Sequence, residues 1–278
     1  MVNFALYRRI AAVAGLAIPA LIALGIAVPA QALCRAASGT GTGVLVELFT
    51  SEGCSSCPPA ERWLSHLPAA EIASGRLVPI ALHVAYWDYL GWKDPFAHAV
   101  SLDRQNEYKR IAASRYVYTP QVVLGGRDFR GWTSPRFIDD MRRAASTPSR
   151  ATVALVLNHR DPRGLAAAVI ATIPAPADRT NAQLHVALVQ NGLVSRVRAG
   201  ENRGVTLEHA HVARDWAPPV AFDAQGRARL ERVFARPARP ARPESPANGD
   251  ANVFGLVAFV QDRSSGAILQ ALALPACD

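Results

Sequence analysis

The sequence is short of the residues that several common functions demand. It has four cysteines and one Cys-x-x-Cys pair, with no second such pair and no paired histidines beside it, so the four clustered ligands of a structural zinc site are missing. After residue 32 there is no further long apolar run, which leaves the body of the chain without a segment of bilayer-spanning length. Aromatic residues are 7% of the chain and do not interleave with its arginines, so the formal charge of +8 does not indicate nucleic acid. No metal and no cofactor are expected on these grounds.

What is present begins with an export signal. Arg8-Arg9, the apolar stretch from Ile10 to Val28 and the small-residue site Ala30-Gln31-Ala32 read as a signal peptide over residues 1–32, and imply a periplasmic or secreted protein. An uncleaved N-terminal anchor is the alternative, and Gly15, Pro19 and Gly25 weigh against it. Leu33 stands before Cys34 where a lipid-attachment site needs a small residue, so Cys34 is an ordinary cysteine. Removing Arg8 and Arg9 lowers the formal charge to +6. That balance suits a transient contact with anionic membrane headgroups or cell-wall polymers.

Export gives the cysteines meaning, because disulfides persist outside the cytoplasm. Four cysteines allow three pairings. If Cys54 pairs with Cys57, Cys34 is left with Cys277, and that structural disulfide would tie the two ends of the mature chain together. In the loop-entropy model so long a ring stabilises by roughly 5 kcal/mol.

Val44 to Phe49 is a short apolar run with β-branched residues, interrupted only by Glu47, and reads as a buried strand. Thr50 to Gly53 is turn-like, and Ala60, Trp63, Leu64 and Leu67 then recur at helical spacing. The pair Cys54-Ser55-Ser56-Cys57 therefore falls at a strand-to-helix turn. A second strand is expected over Leu77–Val84, a helix over Ser101–Arg115, an extended segment over Tyr116–Leu124, a hairpin turn at Gly125-Gly126 and a closing helix over Ser134–Ala145. This order is that of an α/β domain with a mixed sheet flanked by helices. From residue 151 the texture changes to strand-like runs at Ala151–Leu157, Leu165–Ile173, Gln183–Gln190, Val205–Val212 and Val253–Val260, which argue for a second, all-β, sandwich-like domain over 151–278. Within it, the Arg- and Pro-rich stretch at 236–246 reads as an extended, solvated loop.

A cysteine at a helix start faces unpaired backbone N–H groups and the positive end of the helix dipole, and both favour thiolate over thiol. Thiol–disulfide chemistry follows, with Cys54 as the attacking thiol and Cys57 as the resolving one. A mononuclear copper site built from Cys54, Cys57 and His83 is the metal-binding alternative.

Thr119-Pro120, a proline opening a strand, resembles the cis-proline of thioredoxin-like folds. With the Cys-x-x-Cys turn and the Gly125-Gly126 hairpin, residues 41–150 look like a thioredoxin-like domain. The phrases FTSEGCSSCPPAE, YWDYLGWKDPF, YTPQVVLGG and GENRGVTLEHAHVAR more narrowly resemble an uncharacterised family of secreted bacterial proteins, a domain of unknown function. The resemblance implies an α/β thioredoxin-like domain followed by the all-β domain, with Pro120 as the cis-proline and Thr119 beside the substrate. It also places Glu47 near a buried carboxylate that assists proton transfer to the resolving cysteine; the other reading of Glu47 is a salt bridge or a path to solvent. Two departures bear on the direction of electron flow. Glu52-Gly53 replaces a tryptophan before the first cysteine, and Ser55-Ser56 fills the gap between the two, where hydroxyl groups could stabilise the reduced form.

The segment Tyr86–Phe96 is aromatic, and Trp87 and Trp92 are expected either to line a substrate groove or to cover the sheet or pack on the second domain. The resulting expectation is an exported thiol–disulfide oxidoreductase acting on protein or small thiols, with protein thiols or disulfides and an unidentified redox partner as its contacts. The alternatives are a non-catalytic envelope binding or assembly protein with a structural disulfide, and a copper or metal delivery protein.

Overall fold

The computed structural model describes residues 33–237 and 254–275. The expected signal peptide, most of the 236–246 loop and Cys277 lie outside them. No helix among the described residues is long and apolar enough to cross a membrane.

The first half of the chain runs β1 (Leu33–Ala37), β2 (Val44–Thr50), α1 (Pro58–Ser65), α2 (Ala69–Ala73), β3 (Leu77–His83), α3 (Ala99–Ile111), β4 (Gln121–Leu124), β5 (Arg127–Asp128) and α4 (Arg136–Ala145). The second half is all strand: β6 (Thr152–Asn158), β7 (Leu165–Thr172), β8 (Ala182–Gln190), β9 (Leu193–Arg196), β10 (Thr206–His209), β11 (Val212–Trp216), β12 (Val220–Ala221), β13 (Arg227–Phe234), β14 (Phe254–Asp262) and β15 (Ile268–Leu274). β2 and β3 are buried at every position and pair in parallel, as near-continuous apolar runs do when both faces are covered. α4 places Phe137, Met141 and Ala145 on one face at helical spacing, and that face is buried.

Nine strands form one sheet in the order β15-β14-β8-β11-β3-β2-β4-β5, with β12 beside β8. A second sheet has the order β1-β6-β7-β13, and β9 pairs with β10. This corrects the fold expectation. An α/β thioredoxin-like domain with its own sheet, followed by a separate sandwich, does not form; the chain is mostly β, with fifteen strands against four α-helices among the described residues. The physical reason lies at β3. Its free edge accepts β11 in parallel at Val212 and Ala81, and β11 in turn pairs antiparallel with β8, so the sheet continues through strands from both sides of residue 150.

One face of the long sheet carries a continuous apolar layer, including Leu45, Phe49, Ile80, Val189, Val257 and Phe259, against which Tyr108 of α3 packs. The other face is divided. Over β2 and β3 it is covered by α1 and α4, through Leu64, Phe137 and Met141. Over β8, β14 and β15 it is covered by the four-stranded sheet, through Leu155, Val169 and Phe234, so a sandwich does form but borrows one of its two layers from the long sheet.

The predicted strand over Val205–Val212 is two strands, broken at His211, which has φ of 59° and whose N–H donates to Asn191 Oδ1 at 2.6 Å. That break turns the chain from pairing with β9 to pairing with β3 and β8. It also leaves His209, the last residue of β10, pointing back toward the start of α1.

Candidate functional site

β2 delivers the chain to a tight turn. Cys54 N–H donates to Ser51 O and Cys57 N–H to Cys54 O, and Cys54 and Cys57 are joined by a disulfide. Cys57 caps α1. Both cysteines are 0% exposed, whereas Ser55 and Ser56 face solvent. Ser56 Oγ lies 3.3 Å from Cys54 Sγ.

The helix start differs from the expectation in one respect. Pro58 and Pro59 have no N–H, and the N–H groups of Ala60 and Glu61 both return to Cys57 O. The first four residues of α1 therefore present no uncommitted backbone donor to the sulfurs.

A segment from the second half of the chain closes over this turn. Asn202 Nδ2 donates to Glu52 O at 2.8 Å and to Cys54 O at 3.0 Å, and Ser55 N–H donates to Glu201 Oε2 at 2.9 Å. Beneath the turn is a buried ionisable cluster. His209 Nε2 is 2.9 Å from Glu52 Oε1 and its Nδ1 is 2.5 Å from Glu61 Oε2. Thr50 Oγ1 donates to Glu61 Oε1, and Trp92 Nε1 donates to Glu52 Oε2. Asp94 Oδ2 accepts from Glu52 N–H and meets His83 Nδ1, each at 2.8 Å.

Burial pulls the His209 pKa down, but its hydrogen bonds to Glu52 and Glu61 and their charges prevail and raise it to about 10, so it is an imidazolium at neutral pH. Burial likewise raises Glu61 and Asp94, and the hydrogen bonds and charges of His209 and His83 overcome it, so both carboxyls lie below their ordinary values.

The two tryptophans expected along a groove both reach the Cys54 turn. Trp92 holds Glu52, and Trp87 Nε1 donates to Thr119 Oγ1 at 2.8 Å. A Cβ on Gly53 would come within 2.9 Å of Trp87 Cβ, so glycine here lets the indole pack directly on the turn. Trp87 thus bridges Gly53, the residue before Cys54, to the cis Thr119–Pro120 peptide. Beside Pro120 an open groove of about 370 Å³ is lined by Tyr116, Tyr118, Phe129, Arg130 and Trp132.

Glu47 is not brought to the cysteines. Alternation along β2 directs it to the face of Leu45 and Phe49, opposite α1, where Arg104 and Tyr108 bond it and Gln261 bonds Arg104. Cys34 lies in β1, in the other sheet, buried and disulfide-bonded. The sequence reading does not assign roles to Glu52, Glu61, Asp94, Glu201, Asn202 or His209. Their signal is the family-like phrases that contain them: FTSEGCSSCPPAE for Glu52 and Glu61, YWDYLGWKDPF for Asp94, and the phrase from Gly200 to Arg214 for Glu201, Asn202 and His209.

The DUF1223 family model, described as a protein of unknown function, matches residues 45–261. No curated protein matches the chain. Among solved structures, the crystal structure of protein AGR_C_4864 from Agrobacterium tumefaciens is 23% identical, with a TM-score of 0.57 over 87% of this chain and 97% of that one. HBP35 of Porphyromonas gingivalis is 13% identical, with a TM-score of 0.58 over 85% of this chain and 76% of that one. These likenesses concern the fold.

Proposed function

The chain belongs to the DUF1223 family of proteins of unknown function, and from that premise we propose that it is an exported thiol–disulfide oxidoreductase working through Cys54 and Cys57. The observation that carries the proposal is the setting of the pair. It is a disulfide at the turn that starts α1, in a turn on which Trp87 packs while bonding Thr119, held from above by Asn202 and tied through Glu52 to the buried ionisable cluster. In the reductive direction, the Cys54 thiolate attacks a substrate disulfide and one substrate thiolate leaves. Cys57 then attacks the mixed disulfide, the second substrate thiolate leaves, and the protein is oxidised to the disulfide while the substrate becomes a dithiol.

Burial of both sulfurs and the helix start without free backbone donors disfavour thiolate, and the hydroxyl of solvent-facing Ser56, 3.3 Å from Cys54 Sγ, is set against them. The pair is therefore an electron donor of low potential, recharged by a separate redox partner. The groove beside Pro120 receives the substrate chain, with its aromatic walls as apolar platforms.

The test is the Cys54–Cys57 reduction potential in thiol–disulfide buffers together with insulin reduction. The expected potential is more negative than about −200 mV, below that of disulfide isomerases, with measurable turnover. The complete burial of both sulfurs favours one second reading, a structural disulfide in a binding or assembly protein. Native protein whose disulfide resists dithiothreitol and whose reduced form leaves insulin untouched would establish that reading instead.

A further inference from the structure

The buried cluster has more donors than its own hydrogen bonds use. A carboxylate oxygen of Glu61 and one ring nitrogen each of His83 and His209 lie within 4.8 Å of one another, all buried. His83 Nδ1 is taken by Asp94, and His83 Nε2 is buried with no hydrogen-bond partner. An imidazole nitrogen shut away from water without a partner carries an energetic cost, which a bound ligand would remove.

We propose that Glu61, His83 and His209 form a binding site for a divalent transition metal of the Zn²⁺ class. This goes beyond the thiol–disulfide reading and uses neither cysteine.

The donor set is two imidazole nitrogens and one carboxylate oxygen, which suits Zn²⁺, Co²⁺, Ni²⁺ or Cu²⁺. Mg²⁺ and Ca²⁺ prefer all-oxygen shells. The supporting residues fit as well. Ligating histidines usually donate their second ring N–H to a carboxylate that fixes the tautomer and orientation. Here Asp94 stands on His83 Nδ1, Glu52 stands on His209 Nε2, and Thr50 holds the other oxygen of Glu61.

The ion would enter between His209 Nδ1 and Glu61, where a proton is now shared, and that proton would leave as the metal binds. Ligands around a tetrahedral ion at about 2.0–2.1 Å are about 3.4 Å apart, so loading spreads His209 Nδ1 and Glu61 Oε2 from their 2.5 Å contact while the His83 nitrogen, within 4.8 Å of both, closes on the ion. Three protein donors leave one position open for a water or an incoming ligand, the pattern of a reactive rather than a purely structural site.

The site can be tested on the full-length mature protein with its Cys54–Cys57 disulfide kept oxidised, so that failure of the redox reading does not affect the outcome. Co²⁺ titration should give one ion per chain with the visible bands of a four- or five-coordinate centre and no thiolate-to-cobalt band, and Zn²⁺ should displace it. H83Q, which can still bond Asp94, should weaken binding at least 100-fold. D94N should weaken it about tenfold or more through the loss of the orienting bond.

Absence of binding at millimolar Co²⁺ and Zn²⁺, an octahedral spectrum, or unchanged affinity in folded H83Q would overturn the proposal. If H83Q does not fold, ¹⁵N NMR of the wild-type imidazoles decides. Zn²⁺ must shift the ring nitrogens of His83 and His209 and leave His185 unmoved, and any other pattern counts against the site.

Discussion

His209 Nδ1 and Glu61 Oε2 stand 2.5 Å apart although 148 positions separate them in sequence. This contact ties the end of β10 to the helix that follows the cysteine pair, and His209 Nε2 adds Glu52 on the other side. One imidazolium therefore bridges two buried carboxylates from either side of the Cys54 turn.

Replacing His209 by Gln removes that charge and leaves Glu52 and Glu61 without their cationic partner. Breaking a buried pair on one side typically costs about 3–5 kcal/mol. Urea unfolding of the apo protein at pH 7 should show H209Q destabilised by about that amount. A cost below about 1 kcal/mol would mean that the cluster is solvated rather than dry.

Asn202 acts on the cysteines without touching a sulfur. Its amide bonds the carbonyls of Glu52 and Cys54 and so fixes the turn in the closed, buried form. N202A removes two buried hydrogen bonds, each worth about 1 kcal/mol, so opening of the turn becomes easier. Reduction of the native disulfide by dithiothreitol should accelerate on the order of tenfold, the factor that corresponds to about 1.4 kcal/mol. An unchanged rate would mean that thiols reach the pair by a route that leaves the 200–203 segment in place.

The contrast between these residues shows what one sequence can reveal. β2, β3, the hairpin at Gly125-Gly126 and the strand-to-helix turn are legible because local periodicity and turn chemistry specify them. β13 is not, because its run Arg227-Ala-Arg-Leu-Glu-Arg carries charges that only the one-sided burial of an edge strand, with Ala228 and Phe234 facing the core between the sheets, explains. The merging of the two halves into one sheet is equally invisible, since it depends on a long-range pairing of β11 with β3. Cys54 and Cys57 could be named from spacing, Trp87 from its aromatic segment and Thr119 from the resemblance to thioredoxin-like folds. Glu52, Asn202 and His209 could not, because each looks like an ordinary turn, loop or strand residue until the fold brings them together.

Glu47 separates a structural role from a chemical one. It is fully buried and bonded by Arg104 and Tyr108 on the sheet face opposite α1. E47Q strands the Arg104 guanidinium and should destabilise the fold by about 3–5 kcal/mol. The rate of thiol–disulfide exchange and its pH profile should stay as in wild type under conditions where the variant is folded. A shifted pH profile would reinstate Glu47 as a proton carrier for Cys57.

Gly53 tests the link to the groove. A methyl group at this position meets Trp87 Cβ at 2.9 Å, too close for either to remain in place. G53A should displace Trp87, weaken its bond to Thr119 Oγ1 and alter tryptophan fluorescence. In a C57S background that traps mixed disulfides, the yield with a peptide disulfide should fall several-fold if Trp87 positions the substrate beside Pro120. An undiminished yield would show that the substrate approaches elsewhere.

His185 contributes to the acid limb of stability. Its ring stacks on Phe259 at 4.8 Å with Nε2 buried and unpartnered, and Arg104 and Arg263 are the charges that act on it. Burial first, and then those two cations, depress its pKa to about 3 from an unperturbed value of 6.5. Between these two values the unfolded chain binds a proton that the folded chain does not, so stability falls as pH falls through that window. The slope from this residue approaches about 1.4 kcal/mol per pH unit between pH 6 and 4, a window in which His211, depressed to about 4 by burial, adds its own loss and, toward the lower end, so do the buried carboxylates. H185Q should flatten the decline in denaturation midpoint over that interval, because an amide carries no titrating proton. A slope identical to wild type would mean that the ring is protonated in the folded protein, with water reaching Nε2 beside Phe259.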